Sequence, residues 1–491
     1  MKRRAFSISV TLFALAGLAA AFGAGRAHAA APRVSTLRVD RGVKYQTIEG
    51  FGFFGARDSW WGEPRDLVDA EWARMVIDDL GLSMWRNEYY PPGDGVGGEG
   101  ADADWNKQRP VLEALRDRAQ ASRVPLKMIL TVWSAPASMK CASDKEAIHE
   151  GKPNPHGTKD GGAVCPSQRQ RFAEWLIDGL QLHALSGVKV YALSFQNEPL
   201  FRQSYNSGRY PQGAYADTLA AIGPAIHARF PDLKLFGPES LLDTEAGKNG
   251  SEFDPYWYTG HLLAQPRALR QLGALAVHAY TPSMLPTAAS QAARLWSNFH
   301  AAVERTGLPL WMTETSGYVD AWEGGKNAKG EDRPGAFDLA QAMFAALYYG
   351  KVSAWLWWQG SESAGMSESS LMQGTVVGKR YHVSKHFYRF IRPGARMLRS
   401  TSDDPKLFAV AFAHEQLGNF VTVLLNGART EKTLKLVADG VPQELDAYVT
   451  SAATSLWPKP VRVARDAITL PPRSITTLVS GSYHDQPRPQ R

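Results

Sequence analysis

Two glutamates follow apolar runs in closely similar settings, Ser194-Phe195-Gln196-Asn197-Glu198-Pro199 and Trp311-Met312-Thr313-Glu314-Thr315, and stand 116 positions apart in the sequence. A lone glutamate of this kind is more often a helix cap or a surface ion-pair partner. A facing pair has a sharper use. Two carboxylates across a groove are what cleavage of a glycosidic bond requires, one to protonate the leaving oxygen and one to attack or to activate water. Pro199 interrupts regular structure directly after Glu198 and so favours a fixed carboxylate at a loop edge.

Such a pair meets only if the surrounding elements bring it together. From about residue 47 the chain alternates short apolar or β-branched runs with amphipathic segments, the pattern of parallel strands joined by crossover helices. Eight strands are expected, over Thr47 to Phe53, Leu82 to Asn87, Leu126 to Val132, Val190 to Gln196, Leu233 to Gly237, Ala274 to Ala279, Leu310 to Thr313 and Ala354 to Trp358. Helical spacing is legible between them at Val68, Trp72, Met75, Val76 and Leu80, at Phe172, Trp175, Leu176, Gly179 and Leu180, and at Phe337, Ala340, Phe344, Leu347 and Tyr348. Gly81, Gly187 and Gly350 stand where helix C-terminal glycines belong. Eight such units form an α/β fold, a (β/α)8 TIM barrel, whose reacting groups stand at the C-terminal strand ends, so that Glu198 after strand four and Glu314 after strand seven converge.

After Arg392-Pro393-Gly394 the texture becomes all-strand, with runs at Leu407 to Ala413, Phe420 to Leu425, Thr433 to Val437, Glu444 to Val449, Val461 to Val463 and Ile475 to Val479. This reads as an appended β-sandwich side domain. The early run Ser35 to Val39 needs a sheet to join, and the sandwich is the natural one. The expected division is a signal peptide over 1–29, a strand of the sandwich within 34–46, the catalytic barrel over 47–392, the sandwich over 393–482 and a tail over 483–491.

Hydrophobic residues make up 44% of the 491 positions and charged ones 21%, with 15 Trp, 17 Tyr and 20 Phe, which excludes a disordered chain. The formal charge of +7 suggests nucleic acid until the N-terminus is read. Lys2, Arg3 and Arg4, an apolar stretch from Ala5 to Phe22, and Ala27-His28-Ala29 fit an export signal. Arg3-Arg4 also fits its twin-arginine variant. Cleavage after Ala29 removes Lys2, Arg3, Arg4 and Arg26, four of the positive charges, and lowers +7 to +3. That is too little for a phosphate-backbone binder. No other run approaches the ~18 apolar residues of a spanning helix. The expected location is secreted or periplasmic, where Cys141 and Cys165 would either pair across a Gly/Lys/Pro/Asp-rich loop or remain as two free thiols.

The motifs in order resemble glycoside hydrolase family 30, a member of the retaining (β/α)8 clan, over nearly the whole mature chain. Asn197-Glu198-Pro199 matches the clan's Asn-Glu-Pro, and Glu314 matches its strand-seven nucleophile. Trp133-Ser134-Ala135-Pro136-Ala137-Ser138-Met139-Lys140 is similar to the family's segment after strand three, and Lys385 to Gly394 is similar to its hinge into the side sandwich. The resemblance implies that Glu198 is the general acid and base and Glu314 the nucleophile. It further implies that Asn197 binds the sugar 2-OH, that Tyr280 and Arg86 flank the nucleophile, and that Trp357, with Trp358 as the neighbouring alternative, stacks on the sugar. Trp133 joins them as a substrate-binding residue. Two departures fall at the sugar-binding end: Gly50-Phe51-Gly52-Phe53-Phe54-Gly55-Ala56 replaces Gly-Phe-Gly-Gly-Ala, and Ser138 stands for a tryptophan.

Other readings compete. Gly50-x-Gly52-x-x-Gly55 satisfies a dinucleotide fingerprint, but no helix opens at the third glycine. Glu88, Glu239 and Glu362 lie near strand ends and read as loop residues, with a substrate-binding or competing catalytic carboxylate as the alternative. His278 reads as a hydrogen-bonded barrel histidine rather than a metal ligand, and neither metal nor cofactor is expected. Trp60, Trp61, Trp257, Trp311 and Trp322 are either sugar platforms or core. Asn249-Gly250-Ser251 reads as a loop turn or a glycosylation sequon. Lys326, Lys329, Arg333, Lys379 and Arg380 are candidate readers of glucuronic acid. The expected partner is an oligo- or polysaccharide of xylan or β-1,6-glucan or galactan type, bound by a monomer with no nucleic acid and no membrane span after signal removal. A non-catalytic carbohydrate-binding protein and an exo-acting β-glucosidase or glucosylceramidase-like enzyme are the alternatives. A serine esterase is disfavoured because no G-x-S-x-G elbow is present.

Overall fold

The computed structural model describes residues 34–55, 70–89, 105–141, 157–159, 161–245, 255–280, 287, 290–362, 367–455 and 460–480. The export signal, Trp60 and Trp61, the Asn249 sequon, the side chain of Trp257 and the C-terminal tail lie outside them.

Strand β1 (Val34–Thr47) leads into barrel strands β2 (Gly50–Phe54), β3 (Met84–Glu88), β4 (Lys127–Thr131), β5 (Val190–Ser194), β6 (Lys234–Leu241), β7 (Leu272–His278) and β8 (Leu310–Glu314). A short hairpin, β9 (Gly325–Lys326) with β10 (Asp332–Arg333), precedes the last barrel strand, β11 (Ala354–Trp357). A second, β12 (Met372–Gln373) with β13 (Val376–Val377), follows it. The eight barrel strands are parallel and close in the order β11-β2-β3-β4-β5-β6-β7-β8. Each coincides with an expected run. The largest difference is β6, which continues past Gly237 to Leu241, so that Glu239 belongs to a strand and not to a loop.

Alternation along the strands layers the barrel interior. Met84, Ile129, Ala192, Phe236, Ala274, Ala276, Trp311, Ala354 and Leu356 form one buried apolar cluster inside it. Two residues further along the same inward face come Arg86 on β3, Thr131 on β4, Ser194 on β5 and His278 on β7. The polar site therefore stands directly on an apolar plug. The opposite end is sealed by Glu49, which accepts from the Tyr191 hydroxyl at 2.5 Å, from Lys234 at 2.8 Å and from the Trp311 indole at 3.3 Å. Outward residues such as Trp85, Leu193, Leu275, Trp355 and Trp357 pack under the helices.

Gly52 explains the false dinucleotide fingerprint. A Cβ there would lie 1.6 Å from the Met84 carbonyl oxygen, so the glycine is needed for the close approach of β2 to β3 and not for a phosphate. Gly81 and Gly187 take the left-handed backbone expected at helix ends, whereas near Gly350 it is Lys351 that does so.

The remaining strands are β14 (Arg396–Ser402), β15 (Leu407–His414), β16 (Asn419–Asn426), β17 (Lys432–Ala438), β18 (Glu444–Thr450), β19 (Val461–Ala464), β20 (Ile468–Leu470) and β21 (Ser474–Val479). With β1 they form one nine-stranded sheet, ordered β19-β18-β21-β16-β15-β14-β1-β17-β20. The fold is thus a TIM barrel with a β side domain. β1 joins this sheet as its early position implied, antiparallel to β14 and parallel to β17. Period two divides β15 between two cores. Phe408, Val410 and Phe412 pack with the barrel's outer core, while Leu407, Ala409, Ala411 and Ala413 pack inside the sheet's own. Leu436 of β17 donates its backbone N–H to Arg465 just after β19 at 2.6 Å, so the sheet curls until its two ends nearly meet. One rolled sheet takes the place of two separate layers.

Cys141 and Cys165 form a disulfide, with Cα atoms 5.1 Å apart, across a sequence separation of 24. It closes the loop after β4. Loss of this cross-link, in a Cys141→Ser/Cys165→Ser variant, is expected to cost about 3 kcal/mol by the chain-entropy relation, read as a lower urea midpoint than that of the oxidised wild type.

Candidate active site

Glu198 lies four residues past the end of β5, in a stretch whose backbone is pinned on both sides. The Asn197 N–H donates to the Val132 carbonyl at 2.6 Å, the Phe201 N–H to Glu198 at 3.0 Å and the Tyr210 N–H to Pro199 at 2.8 Å. Gln196 ties the same turn to the Trp133 carbonyl at 2.8 Å. Glu198 itself has φ of 41°. A non-glycine residue there stores about 1–3 kcal/mol of strain and persists only where its surroundings over-determine it.

Glu314 ends β8 and is held at both oxygens. Arg86 Nη1 donates to Oε2 at 2.5 Å and the Tyr280 hydroxyl donates to Oε1 at 2.5 Å. Tyr280 is placed by the backbone bond from Ala279 to the Glu314 carbonyl at 2.9 Å. Arg86 is fully buried and spends its other donors on Thr131 Oγ1 at 3.1 Å and Asn197 Oδ1 at 2.7 Å, while its guanidinium lies 4.9 Å from the Trp133 ring centroid. Glu198, Glu314, Asn197, Arg86, Tyr280 and Trp133 thus stand together at the C-terminal end of the barrel.

Two further groups complete the cluster. His278 Nδ1 lies 2.9 Å from Glu198 Oε1 and 3.8 Å from Glu314 Oε1. Glu239, with no exposed surface, contacts Arg86 Nη2 at 3.0 Å and His278 Nε2 at 3.5 Å. The strand-end rule pointed at Glu239, but reading β6 as finished at Gly237 made it a loop residue. A register irregularity between Pro238 and Ser240 turns its side chain into the barrel instead. Glu88 is also buried, at the end of β3. Glu362 is partly exposed and accepts from the Ser367 hydroxyl at 2.6 Å.

Burial pushes the Glu198 carboxyl up from its ordinary range, the bond from His278 pulls it partly back, and the charge of Glu314 pushes it up again. Burial alone would lower His278, but Glu314, Glu198 and Glu239 outweigh it and lift the ring to about 9. Burial would raise Glu239, yet Arg86 and His278 hold it down at about 2. Burial and the neighbouring Glu314 charge raise the Tyr280 phenol well above its usual value, so it remains a donor. Glu198, His278 and Glu314 offer three potential ligand atoms within 4.8 Å of one another. Arg86 and Tyr280 already take both oxygens of Glu314, and the positive guanidinium beside it makes this an ion-pair network and not a metal centre.

One expectation needs correction. Trp357 does not face a substrate: on β11, Ala354 and Leu356 point into the barrel, so Trp355 and Trp357 point out beneath the helices. Trp357 is fully buried, with its indole N–H on the Ser369 carbonyl at 2.6 Å. Trp358 is the partly exposed aromatic, stacked on Phe54 at 4.3 Å and 5.8 Å from Trp133. The additional phenylalanine of the strand-one motif thus builds part of the aromatic wall, and Ser138 is exposed where the motif has a tryptophan. Trp311 and Trp322 are core residues.

The candidate glucuronic-acid readers are mostly engaged elsewhere. Lys326 pairs with Asp332 at 2.7 Å, and Arg333 pairs with Glu331 and lies 3.7 Å from Glu368. Lys379 donates to the Ser451 and Thr454 carbonyls beyond β18, and buried Arg380 donates to Tyr318 and lies 3.5 Å from Asp320. Lys329 stays exposed.

No family model matches the chain. Glucuronoxylanase XynC of Bacillus subtilis strain 168 is 27% identical over 484 residues, covering 96% of this chain and 98% of that protein. A second Bacillus subtilis glucuronoxylanase XynC is 24% identical over 315 residues, 63% of this chain and 65% of its own length, just under two thirds. Among solved structures, the family 30 subfamily 8 xylanase Xyn30A of Clostridium acetobutylicum superposes with a TM-score of 0.65 at 20% identity, over 91% of this chain and all of that one. The chain is similar in sequence to these glucuronoxylanases and in fold to a family 30 xylanase. Another relative, the endo-1,6-beta-D-glucanase neg1 of Aspergillus fumigatus, is 28% identical over 200 residues, 38% of this chain and 35% of that one.

The two neighbouring tryptophans give opposite expectations. Trp357→Ala is expected to cost about 3–5 kcal/mol of stability as a core truncation. Trp358→Ala is expected to unfold close to wild type but to raise KM by up to about tenfold through the lost stacking surface. Melting curves and saturation kinetics on the two purified variants check both.

Proposed function

We propose that this chain is an exported retaining β-glycosidase of glycoside hydrolase family 30 that hydrolyses a β-linked polysaccharide by double displacement. Glu198 begins protonated and gives its proton to the leaving glycosidic oxygen as Glu314 attacks the anomeric carbon, which breaks the C–O bond and forms a glycosyl-enzyme ester. Glu198, now a carboxylate, then takes a proton from water as that water attacks the same carbon, which frees the sugar and returns Glu314. Asn197, oriented by Arg86, faces the 2-OH of the bound sugar. Trp133 and Trp358 supply the aromatic wall on which a pyranose face can pack.

The observation that carries this reading is the spacing and inequality of the two carboxylates. Their nearest oxygens lie within 4.8 Å, short of the roughly 6.5–9.5 Å separation that admits a water between the groups in inverting enzymes. Their surroundings also differ as the two roles demand, with Glu198 pushed up by burial and Glu314 gripped by a cation and a phenol.

The named relatives, glucuronoxylanases and an endo-1,6-glucanase, support a polysaccharide of xylan or β-1,6-glucan or galactan type. The engagement of Lys326, Arg333, Lys379 and Arg380 favours a neutral backbone over a uronate side group. The disulfide and the N-terminal signal support export to an oxidising compartment, and among the described residues no helix is long and apolar enough to cross a membrane. Every group of the site comes from one chain, which supports a monomer. The domain reading remains 47–392 for the catalytic barrel, with 34–46 and 393–482 forming the side sheet. An exo-acting β-glucosidase or glucosylceramidase-like enzyme would use the same pair, and product size on a polysaccharide separates it from an endo-acting enzyme.

Glu198→Ala is expected to lose about 10²–10⁴-fold in turnover on polysaccharide. On an activated aryl β-glycoside it is expected to regain turnover with azide, giving the β-glycosyl azide. Unchanged activity in Glu198→Ala, or no substrate in a panel of β-linked polysaccharides, would overturn the assignment.

A further inference from the structure

Glu239 is the one carboxylate of the cluster that no substrate can reach. It has no exposed surface, and its ion-pair contacts are Arg86 Nη2 at 3.0 Å and His278 Nε2 at 3.5 Å. Each of those partners touches one of the two reacting glutamates, Arg86 through Nη1 on Glu314 at 2.5 Å and His278 through Nδ1 on Glu198 at 2.9 Å. The same Arg86 also orients Asn197. The backbone marks the position as well. Glu239 has φ of 59°, a conformation costly for a side chain of this size, at an irregularity of β6 that aims it inward. A buried anion at a strained strand irregularity, spanning two cations that serve two different carboxylates, does more than fill the barrel.

We propose that Glu239 is a positioning residue for both halves of the double displacement: it orients the Arg86 guanidinium toward Glu314 and keeps the His278 ring as a fixed donor to Glu198. This rests on the retaining reading given above. Glu198 must alternate between acid and carboxylate, and a donor that lost its own proton during the cycle would serve only one of those forms. Arg86, His278 and Glu239 keep their charges through the cycle, while Glu314 loses its charge on forming the ester as Glu198 gains one.

The groups facing Glu239 are Arg86 from β3, Ser194 from β5, His278 from β7, and Tyr215 from the helix Gln212–Arg229. Glu314, Glu198, Tyr280 and Glu88 lie in the next layer. Removing one fixed negative charge from this set makes the local potential more positive. Every proton of the cluster then leaves at lower pH, whichever of Glu198 and His278 releases it.

The test uses full-length enzyme with Glu239→Gln and Glu239→Asp, after wild type has been shown to be active. Glu239→Gln is expected to move the alkaline limb of the kcat/KM profile down by about 1 pH unit or more. Its turnover should fall by about 100-fold on a substrate with a poor leaving group, and by at least tenfold less on a dinitrophenyl glycoside, which needs little acid assistance. Glu239→Asp keeps the charge and retracts it, so its alkaline limb should stay near that of wild type while its turnover falls. If Glu239→Gln does not fold, the Asp variant decides on turnover. An unmoved limb with equal losses on both leaving groups, or wild-type turnover in Glu239→Asp, would overturn the proposal. So would failure of both variants to fold, which would make Glu239 a structural brace. An inactive wild type would instead refute the retaining reading.

Discussion

A guanidinium with no access to solvent sets the terms for the catalytic end of this barrel. Arg86 is charged and fully buried, and an unpaired charge there would cost several kcal/mol. The chain meets that cost by aiming Glu314, Glu239, Asn197 and Thr131 at it, from β8, β6, the turn after β5 and β4. Four elements far apart in sequence are thereby committed to one arrangement. Glu314 is placed as a by-product of satisfying the arginine, and Tyr280 fixes its remaining oxygen. The other glutamate sits outside this grip, in a strained turn with His278 as its partner, and burial there pushes its carboxyl up from the ordinary range.

That arrangement depends on layering. The apolar plug of Met84, Ile129, Ala192, Phe236 and Trp311 fills the barrel beneath the polar layer and keeps water from approaching it from below. The same two-residue period that builds the plug delivers Arg86 and His278 to the level above. The side sheet braces the outside: Phe408, Val410 and Phe412 pack into the barrel's outer core, and Tyr388, just before the hinge, donates its hydroxyl to the Gly52 carbonyl at 2.7 Å, where β2 comes close to β3.

The parts of this structure that repeat were legible in the sequence. Eight apolar runs predicted eight barrel strands, and the all-strand texture after Gly394 predicted the side sheet, because periodicity reports which face an element buries. Strands β14 and β20 were missed; the first begins directly after a proline-glycine hinge and the second is three residues long, so neither shows a clear alternation. Within the site, Glu198 and Glu314 were visible because each follows a strand end. Glu239 was hidden by a local irregularity that sequence does not announce: β6 passes through Gly237 and Pro238 as if it had ended there. The resemblance placed the sugar-stacking aromatic at Trp357 with Trp358 as the alternative, and the alternation of β11, with Ala354 and Leu356 inward, turns Trp357 to the opposite face. The pairing that links the side domain's strands into one rolled sheet around its own core joins distant segments, which no local pattern reports.

Attack on carbon by Glu314, with the Glu198 carboxyl close beside it as acid and base, is the step on which the proposed function rests. It is tested most directly by the configuration of the first product. Proton NMR during hydrolysis of a soluble β-linked substrate should show the β-anomer of the new reducing end first, with the α-anomer growing only as mutarotation proceeds. An initial α-anomer would mean a single inverting displacement by water and would contradict the account.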